Sequence, residues 1–421
     1  MSTRVAARRL KWTLFGAQAM GSAGFLVAST VTPIVGAKLS GRADFAGVPT
    51  AVYWMGGALA ALVWGRLMDP IGRRRTLSAG LVVGVIGATL ASFFVVRGSF
   101  LGFVGGLALM GAANSALQLA RFMAGEVHRI EERGRAISTV VLGGTVGAIL
   151  GPSLVAPMSA LAASLGGPPL AGPYAASAAF FALGAMLVSV LLHPDPRDLA
   201  RDVQALNAAL EAPLRSVREI LRDRGVWIAG LTMALGQLVM VMLMVITSLH
   251  MSHHDHPLSS ISAVMSSHVF GMYAFSVLSG RFADRFGRRP LIAAGAVVLI
   301  AASLTATRST DALPLAFALF LLGLGWNFCY VGGSTLLSDS LSQGERARIQ
   351  SFNDFLLTSM AGLGSAVSGL VFSALGYAAV GYISAVVSTG LLFLGFGAAS
   401  KGNASRDARG SSAEPQGQLV E

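Results

Sequence analysis

Twelve stretches of this sequence are apolar over about the length of a bilayer crossing, which needs ~20 residues as a helix. They run roughly over 12–37, 47–66, 76–96, 99–123, 136–157, 171–193, 226–249, 258–280, 290–307, 312–337, 351–374 and 378–399. Hydrocarbon offers no water to backbone N–H and C=O groups, so each stretch must satisfy its own backbone as a helix. Charged residues make up only 12% of the chain, against about 25% in a soluble domain. The first stretch is too long for a signal-peptide core and lacks a small-residue cleavage site, so it reads as a retained helix. The fold class that follows is an all-α membrane protein with twelve spans.

The net charge of +11 could point to nucleic acid, but its placement excludes that. With the N-terminus inside and each span crossing once, 27 of the 31 Lys and Arg residues fall on the inner side. Only Lys38, Arg42, Arg97 and Arg308 fall outside. Such a bias fixes orientation: both termini are expected in the cytoplasm, with the basic loops facing anionic lipid. The single cysteine, Cys329, lies within a span, which rules out an intramolecular disulfide.

The chain repeats itself. GRLMDPIGRRR starts at Gly65 after span 2, and GRFADRFGRRP at Gly280 after span 8. ERGRAIS from Glu132 is matched by ERARIQS from Glu345. The step from Gly65 to Gly280 nearly equals the step from Glu132 to Glu345, so two halves of six spans share one design. An even number of spans per half leaves both halves pointing the same way. The doubled G-x-x-x-D-x-x-G-R-R pattern, with E-R-G-R-A after span 4, resembles the signature of the major facilitator superfamily. GLGWNFCYVGGSTLL and ERARIQSFNDFLL look like a bacterial, drug- and metabolite-exporter-like subgroup of undefined substrate. The resemblance implies two six-helix bundles around a central cavity that opens alternately to either side. The expected units are 1–193, an amphipathic cytoplasmic linker 194–225 with Leu199, Val203, Leu206 and Leu210 on one face, 226–400, and a disordered tail 401–421.

The resemblance also implies a gate at the doubled loop, formed by Gly65, Asp69, Gly72, Arg73 and Arg74 and by Gly280, Asp284, Arg285, Gly287, Arg288 and Arg289. Asp69 would meet the start of helix 11 when the inner side closes, because a helix N-terminus favours an anion. Pro70 replaces the family's usual Arg there, whereas the second copy keeps Arg285. In span 5, Gly147, Gly151 and Pro152 match half of an exporter-type pattern whose last two glycines are replaced by Val155 and Ala156.

Coupling to protons needs a titratable group within the membrane. No acid lies deep in a span, and Leu107 stands where the family usually has an Arg on helix 4. His268, midway along span 8, is one coupling candidate. Asp354 is the other, with a rival reading as the capping box Ser351-x-x-Asp354. Polar residues at helical spacing mark a cavity wall: Gln18, Trp54, Asn114, Gln118, Gln237, His268 and Asn327, with Arg121 ending the span 4 stripe. Buried amides also serve as glue between helices, an alternative that stays open. The wall favours a neutral or amphipathic organic solute.

SLHMSHHDHP, residues 248–257, gathers four histidines, and His250, His254 and His256 are weak metal candidates. The topology puts them in an external loop, with no closed ligand spacing. No cofactor and no catalytic constellation is expected. The leading expectation is a monomeric efflux carrier of a small-molecule substrate in the bacterial inner membrane, contacting membrane lipid, with protons as a candidate coupling ion that the missing helix 4 Arg leaves open. The alternatives are an importer of a neutral nutrient, a metal-ion carrier and a non-transporting sensor.

Overall fold

The computed structural model describes residues 3–128, 130–199, 215–220 and 222–396. The amphipathic face beyond Leu199, the residues 200–214 and the tail 401–421 lie outside that range. Among the described residues, helices dominate, and the crossings follow the apolar stretches. They are α1 (Thr3–Ser29 and Thr32–Ser40), α2 (Val48–Ile71), α3 (Arg73–Arg97), α4 (Phe100–Gln118 and Ala120–Glu126), α5 (Ile130–Ser153 and Val155–Ser164) and α6 (Gly172–Leu191). The second half holds α7 (Arg224–His253), α8 (Leu258–Tyr273 and Ser276–Phe286), α9 (Arg288–Ala306) and α10 (Ala312–Asp339). The last helical stretch, Gln343–Phe396, is broken at Gly376 (φ 82°, ψ 177°). Its apolar part, Phe352–Gly395, has 44 residues, about 66 Å at 1.5 Å per residue and so twice a bilayer core. It therefore supplies two crossings, α11 (343–375) and α12 (377–396).

Several crossings are not straight. Helix α1 bends by 41° between Ser29 and Thr32, α4 breaks at Leu119, α5 at Leu154 just after Pro152, and α8 between Tyr273 and Ser276. Proline removes a backbone donor and accounts for the break in α5. Hydropathy shows apolar length and not these local bends, so by apolar length alone spans 1, 4 and 8 read as continuous rods, whereas Pro152 marks a bend in span 5.

Each half owns a core. One buried cluster runs from Leu10 to Leu192. The other runs from Val239 to Leu391 and takes only Ile34 and Ala46 from the first half. The repeat is visible in atomic detail. Gly72 (φ 90°, ψ 159°) and Gly287 (φ 98°, ψ 162°) make the same turn in both copies of the doubled loop, a conformation open to glycine and strained for other residues. The hydroxyls of Thr32 and Tyr174 bond at 2.9 Å between α1 and α6, and those of Thr247 and Tyr377 at 2.9 Å between α7 and α12.

The second and fourth helices of each half touch backbone to backbone. A Cβ on Gly111 would fall 1.9 Å from the Tyr53 carbonyl oxygen, and one on Gly323 would fall 2.2 Å from that of His268. Without a hydrophobic drive between helices in lipid, such close approach is what holds them. Gly111→Val and Gly323→Val are each expected to destabilise the protein by about 1–3 kcal/mol through overpacking. Gly105→Val, on α4 where nothing lies within 4 Å, should leave stability unchanged. Thermal unfolding of the three purified variants checks this.

Candidate functional site between the two halves

The halves meet differently at their two ends. The motif end carries the Gly72 and Gly287 turns, and the histidine end carries the 250–257 loop. Toward the histidine end, α2 runs against α11 at backbone distance. The Ser365 hydroxyl donates to the Gly47 carbonyl at 2.8 Å, and the close approach at Gly47 and Gly369 leaves no room for side chains there. Trp54 packs against both cores and lies beside Gly362. Helices α5 and α8 close a second seam, where Pro152 faces Met265, His268 and Val269 around a small cavity.

Toward the motif end, a charged contact joins the halves. The Arg121 guanidinium, on α4, forms an ion pair with the Asp354 carboxylate, on α11. Gln350 donates to the same carboxylate at 3.1 Å, and Arg121 also stacks over Phe122, 4.9 Å from the ring centre. The two charged side chains are only 16% and 31% exposed. Removing one partner from such a pair leaves a poorly solvated charge, which costs more than losing an exposed ion pair. The partners lie 233 residues apart, so no local pattern could pair them.

Asn114 is half-buried and Gln118 exposed on the α4 stripe that ends in Arg121. Gln237, on α7, accepts from the Trp326 indole N–H at 2.8 Å, and Trp326 stacks on Tyr330 with centroids 4.9 Å apart. Trp54 sits edge-on to Tyr53 and Phe25 at 5.3 and 5.8 Å. Gln18 is 9% exposed on α1 and packs beside Gly144 of α5. Asn327 does not face a cavity. It is 2% exposed, donates to the Met272 carbonyl and Ser276 hydroxyl at 2.7 and 2.9 Å, and accepts from Ser279 at 2.6 Å. It ties α10 to both pieces of the broken α8, which is the glue alternative. His268 is fully buried, with Nδ1 3.0 Å from the Leu319 carbonyl of α10.

In the doubled loop, Arg73 makes a two-pronged pair with Glu126 at 2.6 and 3.1 Å. Its repeat mate Arg288 pairs with Asp339 at 2.9 Å. The backbone N–H groups of Arg73 and Arg74 donate to Asp195 at 3.3 and 3.2 Å, and Arg74 reaches His193. The Asp69 side chain lies outside the described residues. Asp284 is 74% exposed and pairs within its own half, 3.4 Å from Arg288 at the start of α9. The expectation that it gates across the halves is not met in this structure, because it points to solvent. Arg285 stacks on Phe286 at 5.2 Å. Arg289 is also engaged, and Gly65 and Gly280 face open space. On α5, Gly147 and Gly151 press against the α1 backbone at Ala19 and Ala23.

Helix α11 starts earlier than its apolar run, at Gln343. Residues 351–354 are therefore interior, and the Ser351–Asp354 capping box is corrected to Ser342–Glu345. The Glu345 carboxylate accepts from the Ser342 N–H at 2.9 Å. It also holds Arg215 of the linker at 2.8 Å. The Arg215 hydrogen bonds, then the Ser342 N–H, push the Glu345 carboxyl well below the usual carboxylate range.

Two of the four histidines meet, the His250 and His254 rings lying edge-on with centroids 4.4 Å apart. His250 stacks on Tyr377 at 4.0 Å and 4°. The ring Nδ1 of His254 donates to the His250 carbonyl at 2.9 Å, and the ring Nε2 of His256 donates to the Thr310 carbonyl at 2.8 Å. Among the described residues no group of three or more His, Cys, Asp or Glu is placed to hold a metal ion, so the weak metal reading of His250, His254 and His256 finds no geometry.

A family profile described as Major Facilitator Superfamily matches residues 13–261 and 232–416. The chain is 34% identical over 379 residues to "Uncharacterized MFS-type transporter YdeG" of Bacillus subtilis, covering 88% of this chain and 87% of that one. It is 28% identical over 384 residues to the riboflavin transporter RfnT of Brucella anthropi, covering 91% and 94%. Among solved structures, a bacterial homologue of the human lysosomal transporter Spinster, in an inward-facing and occupied conformation, superposes with a TM-score of 0.72 at 15% identity, covering 96% of this chain and 98% of that one.

The Glu345 contact carries a pH prediction. A carboxyl depressed on folding stabilises fully above its unfolded pKa, about 4.3, and loses that contribution as pH falls through the lower folded value. Wild type should therefore be more thermostable than Glu345→Gln at pH 7. The difference should hold down to about pH 5 and shrink below the unfolded value. Melting temperatures of both proteins from pH 7 to pH 3 check this.

Proposed function

The chain belongs to the major facilitator superfamily, a family of membrane transporters and not enzymes, and from that premise we propose that it exports a small organic solute in exchange for protons. The observation that carries the reading is the Arg121–Asp354 pair between the halves. With Asp354 ionised, the pair ties α4 to α11 at the motif end. Protonation of Asp354 neutralises one partner and loosens that tie. A solute leaving and a proton entering would then each favour a different arrangement of the halves, which is what coupling requires. The proposed moving units are 1–193 and 226–400, joined by the linker 194–225, in a monomer with both termini in the cytoplasm. Asp69 remains a proposed second contact for the start of α11, and the backbone packing of Gly147, Gly151 and Pro152 supports the export direction.

A second reading, import of a neutral nutrient, is favoured by the riboflavin transporter RfnT, which this chain matches along almost its whole length. Accumulation of a solute panel in cells with and without the protein separates the two: export lowers the cell content and import raises it. For coupling, Asp354→Asn in liposomes is expected to cut pH-gradient-driven transport at least about tenfold, while solute exchange without a gradient persists. Gradient-driven transport at the wild-type rate would overturn the role of Asp354.

A further inference from the structure

Tyr53 on α2 and His268 on α8 occupy the same place in the two repeats, separated by the same step that takes Gly65 to Gly280. Both are buried, at 1% and 0% exposure. The backbone of each is gripped by the fourth helix of its half, at Gly111 and Gly323. Both also carry a polar atom with no partner, the Tyr53 hydroxyl and the His268 Nε2. Inside a membrane bundle an unmet polar group is destabilising, and repetition of that cost at matched positions points to a use.

The chemistry of the two atoms is complementary. A carbonyl only accepts, so the bond from His268 to the Leu319 carbonyl places the proton on Nδ1. In the neutral ring Nε2 is then a bare acceptor. The Tyr53 hydroxyl supplies a donor. Each residue lines a small cavity. His268 shares one with Leu26, Ser29, Pro152, Met244 and Met265, and Tyr53 shares the other with Ser29, Thr50, Leu107 and Met110. Each is about large enough for a water molecule, and neither lining contains a charged residue. Ser29 belongs to both and sits at the bend of α1, while Pro152 sits at the break in α5. The His268 cavity is walled by both halves, on the side sealed at the histidine end.

We propose that Tyr53, Ser29 and His268 form a hydrated, uncharged hydrogen-bonding site that opens to the histidine end when the halves part there, and that it takes the hydroxyl or amide groups of an uncharged part of the solute in place of its water. This rests on alternating access, but its test needs neither the solute nor a proton gradient. Hydroxyl radicals generated from water by X-ray pulses oxidise side chains beside bound water, even buried ones. In the purified wild-type protein, Tyr53 and Met265 are expected to be oxidised at least about tenfold faster than Tyr174 and Met123, since internal water needs polar partners and room. Tyr174 is equally buried with its hydroxyl bonded to Thr32, and Met123 is buried outside both cavities. Protection of Tyr53 and Met265 to the level of those controls overturns the site. His268→Leu should lower oxidation of Met265 and spare that of Tyr53.

For the opening, Cys329 is the chain's one cysteine, so Ser29→Cys in a Cys329→Ser background gives a single label. A membrane-impermeant methanethiosulfonate should modify it from the histidine end. Labelling from the motif end alone, or from neither, overturns the opening. Because no gradient or solute enters either measurement, both are read on the wild-type Asp354 background and stand even if the coupling role of Asp354 fails its own test.

Discussion

Hydrocarbon gives a polar side-chain atom nothing to bond to, and most of this structure can be read as a response to that constraint. Serine and threonine hydroxyls return to carbonyls one turn back, as Thr247 does to Leu243 at 2.6 Å and Ser303 to Leu299 at 2.8 Å. Tyrosines at the ends of α6 and α12 find threonines on α1 and α7. Asn327 uses both ends of its amide to hold a helix that is already broken. Of the buried side-chain atoms without a partner among the described residues, those on Tyr53 and His268 stand out by repetition.

The repeat explains what is common to the halves and isolates what is not. Arg73 with Glu126 and Arg288 with Asp339 are one ion pair built twice, at matched places in the two halves. Each ties the turn after the second helix to the end of the fourth within its own half, so neither senses how the halves sit. The pair Arg121–Asp354 has no counterpart: the repeat places Ser334 opposite Arg121 and Val141 opposite Asp354. An interaction that breaks the internal symmetry and spans both units is the kind that can distinguish one arrangement of the halves from another.

Much of the fold was legible because membrane spans write themselves as apolar length and the repeat as matching loops. Bends were not legible in hydropathy: α1 bends between Ser29 and Thr32, where Pro33 at the start of the second piece lacks the N–H that would reach the Ser29 carbonyl, a mark that apolar length does not carry. The start of α11 is hidden because its first two turns are polar: apolar length begins at 351, whereas the helix begins at Gln343, where Glu345 anchors it. Sites fared worse than elements. Amide spacing picks out one face on each of α4 and α10, but spacing alone does not say whether an amide points into a cavity or is consumed between helices. Asn327 and the half-buried Asn114 are repeat mates with different fates. The pairing of Arg121 with Asp354 needed three dimensions.

The two seals differ in kind, and that difference bears on where a proton can act. At the histidine end the halves meet through glycine backbones, a serine hydroxyl and apolar packing, contacts whose strength does not change with protonation. His250 lies there flat against Tyr377, so its ring serves a stacking contact inside the second half and does not bridge the two. At the motif end a carboxylate and a guanidinium meet in partial burial. Arginine stays charged at any accessible pH, so the carboxylate is the only member of that pair a proton can alter. On the proposed reading, a carrier built this way would put its proton-sensitive contact at the motif end, with the proposed Tyr53–His268 site on the side sealed at the histidine end. The cluster of histidines that looks most titratable in the sequence is then not where proton control is expected, and a carboxylate in the interior of α11 is.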